Sequence, residues 1–368
     1  MSALLAYHQD STEENYRDLL SEIYSVNAEE HLLSSVEEII LRDKNAFSVA
    51  CATTGKPSAH VKKAYAADLK IVLSALSAVK TCTDFDYSKP LPVFDCGSYE
   101  NLIYDLSDFY RANGYGEFIG NRAFEYLNGG FIPLKETDVV TLEMLKGYES
   151  EKKLIENNIR DFLGGLPYSH MLLYGDRGTG KSSTIHAMLN KYYDGGLRLI
   201  EVEKENLKDI KEIKQQVADL PLKFIIFIDD LALSEQDDKN SLLKSAIEGS
   251  LSASKNVMIV ATSNRRHVIK ESFADRDNSV HPADSIEEQL SLSDRFGLTV
   301  MFSSTDKASY LSIVQQLAKD YKLTTPDKSL EALAERWAIV NGGRSPRRAK
   351  QFIDYVYACE QSQREIDF

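Results

Sequence analysis

The sequence predicts an α/β protein: a five-stranded parallel sheet with helices on both faces, preceded by an all-helical segment and followed by a helical one. Three observations predict it. Between residues 139 and 304, short apolar runs alternate with amphipathic stretches, the pattern of parallel strands joined by helical crossovers. A glycine-rich loop, Gly175-Asp176-Arg177-Gly178-Thr179-Gly180-Lys181-Ser182, separates one apolar run from one amphipathic stretch. The flanking segments, 1–138 and 305–368, carry apolar residues at spacings of three to four.

In the N-terminal segment, residues 16–23, 28–41 and 58–79 read as helices. Lys89-Pro90-Leu91-Pro92 interrupts the pattern, and 98–110 resumes it. No repeat or chemistry-bearing motif stands out in residues 1–115, and Phe94, Tyr99, Tyr104 and Phe109 read as core. A helix over 141–162 ends at Gly164-Gly165, a good C-terminal stop. Strands follow at 170–174, 197–202, 224–228, 257–262 and 298–302, with helices at 181–192, 207–217 and 240–249. The last sixty or so residues give helices over 307–321, 330–340 and 346–359. The expected domains are therefore 1–138, 139–304 and 305–368.

Composition bounds the function. In 368 residues, 43% are apolar and 27% charged, enough for a packed core and unlike a disordered chain. The net charge is −13; residues 1–138 alone hold 12 Lys/Arg against 21 Asp/Glu, a net −9. That balance disfavours broad, non-specific contact with nucleic acid. No apolar run approaches the ~20 residues that span a bilayer. Cys51, Cys82, Cys96 and Cys359 have no metal-ligand spacing, so reduced thiols and a cytoplasmic location are expected. The first residues show no basic segment ahead of an apolar run, so no leader is expected.

The loop matches GxxxxGK[ST] between a strand and a helix, the context that gives the pattern meaning. Its glycines let consecutive amides turn inward around phosphate oxygens, and the next helix points its positive end at the same anion. Lys181 supplies a point charge for the β- and γ-phosphates, and Ser182 a hydroxyl for Mg²⁺. Phe224-Ile225-Ile226-Phe227-Ile228-Asp229-Asp230 is an apolar strand ending in two carboxylates, where ligands of a parallel sheet belong. Asp229 is expected to hold Mg²⁺ and Asp230 to face an attacking water, with Glu235 as the alternative base. A third strand runs into Ser263-Asn264, whose amide can orient the same water. Arg295, in Asp294-Arg295-Phe296-Gly297, and Arg344, Arg347 and Arg348 carry guanidinium forks suited to phosphate oxygens.

This order of phosphate loop, acidic strand, Ser-Asn strand, DRFG and arginine-bearing C-terminal helices resembles the AAA+ ATPases. More narrowly it resembles an uncharacterised bacterial AAA+ family described only as ATP-binding. The segments that carry the likeness are LKGYESEKKLIENN (145–158), LLYGDRGTGKSS (172–183), FIDDL (227–231), VMIVATSNRRH (257–267), SLSDRFGL (291–298) and GGRSPRRAKQFID (342–354); it covers about 118–368. The resemblance implies a P-loop AAA+ core with a C-terminal helical lid, binding and hydrolysing ATP with Mg²⁺. It implies a homo-oligomer, a hexamer favoured, working as a ring or arc on a protein or nucleic-acid partner away from the membrane. Position by position it makes Gly175 through Ser183 the nucleotide cradle and Ser182 and Asp229 the metal ligands. It makes Asp230 the catalytic acid, where many relatives have Glu, and Asn264 the first sensor. Arg295 falls on the finger that reaches a neighbouring subunit. Arg347 falls on the second sensor, with Arg348 the alternative, and Arg265 and Arg266 follow the first sensor. Tyr148 is a candidate for packing near adenine.

Overall fold

Apolar β-branched and aromatic runs build the sheet. Residues Lys223–Ile228 (KFIIFI) and Val257–Ser263 (VMIVATS) are buried almost throughout, as strands covered on both faces must be. In the computed structural model, the described residues are 2–25, 32–80, 94, 99–135, 139–231, 242–243, 247, 255–264 and 295–367. They form two compact units: Met1–Asn121 with Asp219–Leu222, and Arg122–Ala218 with Lys223–Phe368.

The first unit is helical: α1 (Ser2–Gln9), α2 (Glu13–Ser25), α3 (Leu32–Arg42), α4 (Ala46–Thr53), α5 (Ala59–Lys80) and α6 (Tyr99–Asn113). One apolar cluster, including Leu19, Val36, Phe47, Leu69, Leu106 and Tyr110, ties them together. Phe47 stacks on Tyr65 at 4.3 Å, and the Tyr110 hydroxyl donates to the Ile40 carbonyl at 3.0 Å. The helix α4, unforeseen in the sequence, starts at a capping box in which Asn45 accepts from the Phe47 and Ser48 amides. Tyr104, expected in the core, is 66% exposed, with the Lys62 ammonium 5.9 Å from its ring centre. Its helix turns that position outward, where an aromatic face can take a cation. Cys51 is a buried thiol beside Ser107.

The second unit holds the sheet: β1 (Ala123–Leu127), β2 (Gly130–Pro133), β3 (Met171–Gly175), β4 (Leu197–Glu201), β5 (Lys223–Ile228), β6 (Val257–Ser263) and β7 (Leu298–Phe302). Their order across the sheet is β2-β1-β4-β5-β6-β3-β7. The expected five strands run parallel as β4-β5-β6-β3-β7. Two more were not expected: β1 pairs parallel to β4 and turns through Asn128-Gly129, both at positive φ, into antiparallel β2. This Asn-Gly turn is the sequence signal that could have found the hairpin. Because the hairpin belongs to the sheet, the compact division falls after Asn121 rather than after residue 138.

The crossover helices are α7 (Glu149–Leu163), α8 (Lys181–Tyr192) and α9 (Ile210–Val217), with a 3₁₀ turn at Leu207–Asp209. The expected helix over 141–162 begins only at Glu149. Gly147 at φ +84° and Tyr148 at φ +57° leave the right-handed region, so no helix can run through them. The expected helix over 240–249 lies mostly outside the described residues, as do Cys82, Cys96, Glu235, Arg265 and Arg266.

The C-terminal part is α10 (Lys307–Asp320), α11 (Asp327–Val340) and α12 (Pro346–Gln361), packed around Tyr310, Val314, Leu330, Ala334, Phe352 and Val356. The entry to α12 is fixed chemically: Ser345 caps it by accepting from the Arg348 amide, and Pro346 is its first residue. Among the described residues no helix is long and apolar enough to cross a membrane.

Candidate functional site

A loop that must curl tightly between a strand and a helix is built here from glycines at positive φ, two of them with neighbours that crowd a side chain. At Gly175 (φ +132°) a Cβ would stand 2.0 Å from the Phe302 carbonyl oxygen of β7. Gly178 and Gly180 also have positive φ. The loop closes on itself through the Thr179 hydroxyl, which donates to the Asp176 carbonyl at 2.8 Å. Among the described residues the amides of Arg177, Gly178, Thr179 and Gly180 make no backbone hydrogen bond. These donors and the N-terminal amides of α8 make a nest for an anion.

Lys181 reaches back over this loop. Its ammonium donates to the Gly175 carbonyl at 3.0 Å, the Asp176 carbonyl at 2.8 Å and Asn264 Oδ1 at 3.0 Å. Burial pushes its pKa below the ordinary lysine value, while Asp176, Asp229 and Asp230 pull it back up. Ser182, the second residue of α8, donates to Asp229 Oδ1 at 2.6 Å. Ser183, one residue on, lies in the same first turn.

The carboxyl ends of β5 and β6 bring the acidic residues to Lys181. Asp229 Oδ1 also accepts from the Thr262 hydroxyl at 2.5 Å. Asp230 has φ +51° and takes its Oδ1 to the Asn264 amide at 2.5 Å. Asn264 thus bridges Lys181 and Asp230. The structure adds two residues that the sequence did not single out. Thr262 reads in sequence as an ordinary strand residue. Glu201, ending β4, has its carboxyl pushed up by burial, with His186 opposing and Asp229 and Glu125 adding to the rise. The His186 ring lies 3.6 Å from that carboxylate.

The donor set suits Mg²⁺: one carboxylate and one hydroxyl, both hard oxygens, leaving other positions for phosphate and water. Both protein donors to Asp229 converge on Oδ1, and among the described residues Oδ2 has no hydrogen-bond donor.

A cavity of about 1200 Å³ opens above the loop, lined by Asp176, Arg177 and Asn264 on one side and Arg344, Arg347 and Arg348 on the other. The start of α12 comes close because Gly178 lacks a side chain: a Cβ there would meet Arg347 Cβ at 3.2 Å. The Arg347 amide donates to the Gly178 carbonyl at 3.1 Å. The three arginines differ in their partners. Arg344 forks onto Glu335 at 3.0 and 2.8 Å, and Arg348 donates to Gln351 at 2.8 Å. Among the described residues the Arg347 guanidinium has no hydrogen-bond or ion-pair partner.

Two expected residues lie apart from this cluster. Tyr148 does not line the cavity; its hydroxyl donates to the Ser303 carbonyl at 2.5 Å and its ring lies 5.1 Å from Phe302. Arg295 is exposed and precedes β7, whose first residue Leu298 pairs with Met171 while its last, Phe302, pairs with Gly175. About 13 Å of strand therefore separates the Arg295 end of β7 from the phosphate loop.

Residues 120–360 match the family described as a protein of unknown function (DUF815). No curated protein matches the sequence. Similar solved structures include the Thermotoga maritima RuvB Holliday junction branch migration motor and a single-substitution form of the same protein. Each is 18% identical over 61% of this chain and 66% of that chain, with a TM-score of 0.43. Each match thus spans slightly under two thirds of the other chain's length. The chain belongs to the DUF815 family.

Proposed function

We propose that this chain binds ATP with Mg²⁺ in the cradle from Gly175 to Ser183 and hydrolyses it as an oligomeric AAA+ ATPase. The observation that carries the reading is the convergence of two hydrogen-bonded groups, Lys181–Asn264–Asp230 and Ser182–Asp229, at one end of the sheet, with bonds of 2.5–3.0 Å.

The residues divide the work. The loop amides and Lys181 hold phosphate oxygens in a low-dielectric pocket, where oriented dipoles are worth more than in water. Ser182 and Asp229 hold Mg²⁺, which when bound neutralises charge on the phosphates. Asp230 receives a proton from the attacking water, and Asn264 orients that water. Arg347 approaches the phosphates from the C-terminal helices. Arg295, remote from its own loop, serves the site of an adjoining subunit, and this supports a ring or arc with a hexamer favoured. The helices of 305–368 act as the lid.

The acidic segment 1–138 recruits the macromolecular partner, a protein or a nucleic acid, that the oligomer remodels or loads in the cytoplasm. Tyr148 supports the wall near the base by packing on Phe302. A second reading is a low-turnover switch that recruits a partner on binding ATP. It is favoured by the bond from Asn264 that already occupies Asp230, and by the shorter reach of Asp compared with Glu.

Steady-state hydrolysis measured against protein concentration tests both. Multiple turnovers that rise with assembly support the motor. Tight ATP binding with less than one turnover supports the switch, and no nucleotide binding refutes the site.

A further inference from the structure

We propose that Thr262 is a positioning residue that divides two adjacent carboxylates between two tasks, fixing Asp229 toward the metal and turning Asp230 away from it. This deepens the proposed Mg²⁺-nucleotide reading and rests on it.

The regular pairing of β5 with β6 ends at Ile228 opposite Ala261. Beyond that pair the chain leaves the regular extended ladder, with Asp230 at positive φ. Thr262, 2% exposed, takes over the pairing there with its side chain as well as its backbone. Its carbonyl accepts from the Leu231 amide at 2.7 Å. Its hydroxyl oxygen accepts from the Asp230 amide at 3.0 Å and donates its single proton to Asp229 Oδ1 at 2.5 Å. Three consecutive residues are thus gripped by one.

Each bond has a consequence. Asp230 sits at φ +51°, a backbone state that non-glycine residues avoid. The bond from its amide to Thr262 holds that state, and from it the Asp230 carboxylate reaches Asn264 rather than its neighbour. On Asp229, the Thr262 and Ser182 hydroxyls both occupy Oδ1, which fixes the rotamer and directs Oδ2 outward. A serine could make the same three bonds. A valine has the same shape and suits a strand, but it leaves the Asp230 amide without this acceptor and takes away one of the two donors to Asp229, leaving Ser182 alone.

Outer residues that orient metal ligands typically change metal affinity by ~10–100-fold when removed. The full chain, with fluorescent ADP bound, is therefore titrated with Mn²⁺ by electron paramagnetic resonance, and ADP affinity is measured with Mg²⁺ and with EDTA. Thr262→Val is expected to weaken Mn²⁺ binding by ~10–100-fold, to keep metal-free ADP affinity, and to lose the gain in affinity that Mg²⁺ brings. Thr262→Ser is expected to restore Mn²⁺ binding to near the wild-type value. If Thr262→Val does not fold by circular dichroism, Thr262→Ala against Thr262→Ser carries the same comparison. Equal Mn²⁺ affinity in Val (or Ala) and wild type overturns the role of Thr262, as does an equal loss in Ser and Val. A wild-type protein that binds no ADP under either condition overturns instead the reading on which the proposal rests.

Discussion

Asn264 donates its amide to Asp230 at 2.5 Å and accepts from the Lys181 ammonium at 3.0 Å, so one side chain at the end of β6 links the phosphate loop to the acidic strand. A turn residue with no further role would have no reason to face both.

Replacing Asn264 by Ala removes both bonds. Hydrolysis is expected to fall by about 10²-fold or more, the scale of losing a group that orients a reacting water, while ADP binding changes little. Single-turnover kinetics alongside equilibrium binding check this. Unchanged turnover would reduce Asn264 to a turn residue.

Asp230→Asn keeps the shape of the side chain and loses its ability to take a proton. ATP binding is expected to persist and turnover to drop by ~10²–10⁴-fold. Bound nucleotide, extracted after mixing with ATP, is expected to be triphosphate. Rapid formation of ADP by this variant would transfer the base to another residue, Glu235 first.

Lys181→Ala removes a charged donor from the proposed phosphate site. A hydrogen bond to a charged group contributes about 1.5–3 kcal/mol, so nucleotide affinity is expected to fall by at least about 10-fold by calorimetry. Retained tight binding would contradict the phosphate site. Arg295→Ala is expected to bind ATP normally and lose hydrolysis by ~10³–10⁵-fold. Mixing it with Lys181→Ala is expected to restore part of the rate, because in the proposed assembly each variant carries what the other lacks. No recovery in the mixture would place Arg295 outside the reaction.

Gly175→Ala is a test of the close approach beneath the loop. The added methyl would lie 2.0 Å from the Phe302 carbonyl oxygen. Strain and overpacking together are expected to cost about 2–4 kcal/mol of stability, measured by urea denaturation. A loss below roughly 0.5 kcal/mol, the scale of a neutral surface change, would mean that β3 and β7 separate easily.

His170 makes stability depend on pH. Its Nδ1 accepts from the Ile259 amide at 3.1 Å, and burial pushes its pKa from 6.5 down to about 4, with Lys214 adding to the fall. The folded protein therefore holds this ring neutral where the unfolded chain would bind a proton. The stabilisation is complete above pH 6.5 and is lost as pH falls from there to about 4. The contribution is about 3 kcal/mol, and denaturation midpoints measured across that range are expected to flatten in His170→Gln. Identical pH profiles for the two proteins would remove His170 as the cause.

The phosphate loop, the two carboxylates and Asn264 were legible from the sequence because local rules fix each of them. Glycine is the residue that takes the positive φ at 175, 178 and 180 without strain, an apolar run such as KFIIFI must be a buried strand, and a parallel sheet presents the residues that follow its strands on one side. The β1–β2 hairpin had a local signal in Asn128-Gly129, but its strands are only five and four residues long, and it is the parallel pairing of β1 with β4 that makes it part of the sheet. The same local rules extended α7 through Gly147 and Tyr148, whose left-handed backbone shows only in the folded chain. Composition and spacing thus determined which chemical groups the protein has and at which strand ends they stand. Tertiary structure decided their partners: Thr262 on both aspartates, Asn264 between Lys181 and Asp230, and Arg347, rather than Arg344 or Arg348, left without a side-chain partner among the described residues. The physical reason is that a hydrogen bond depends on angstrom-scale distance between residues far apart in the chain, and no local propensity carries that information.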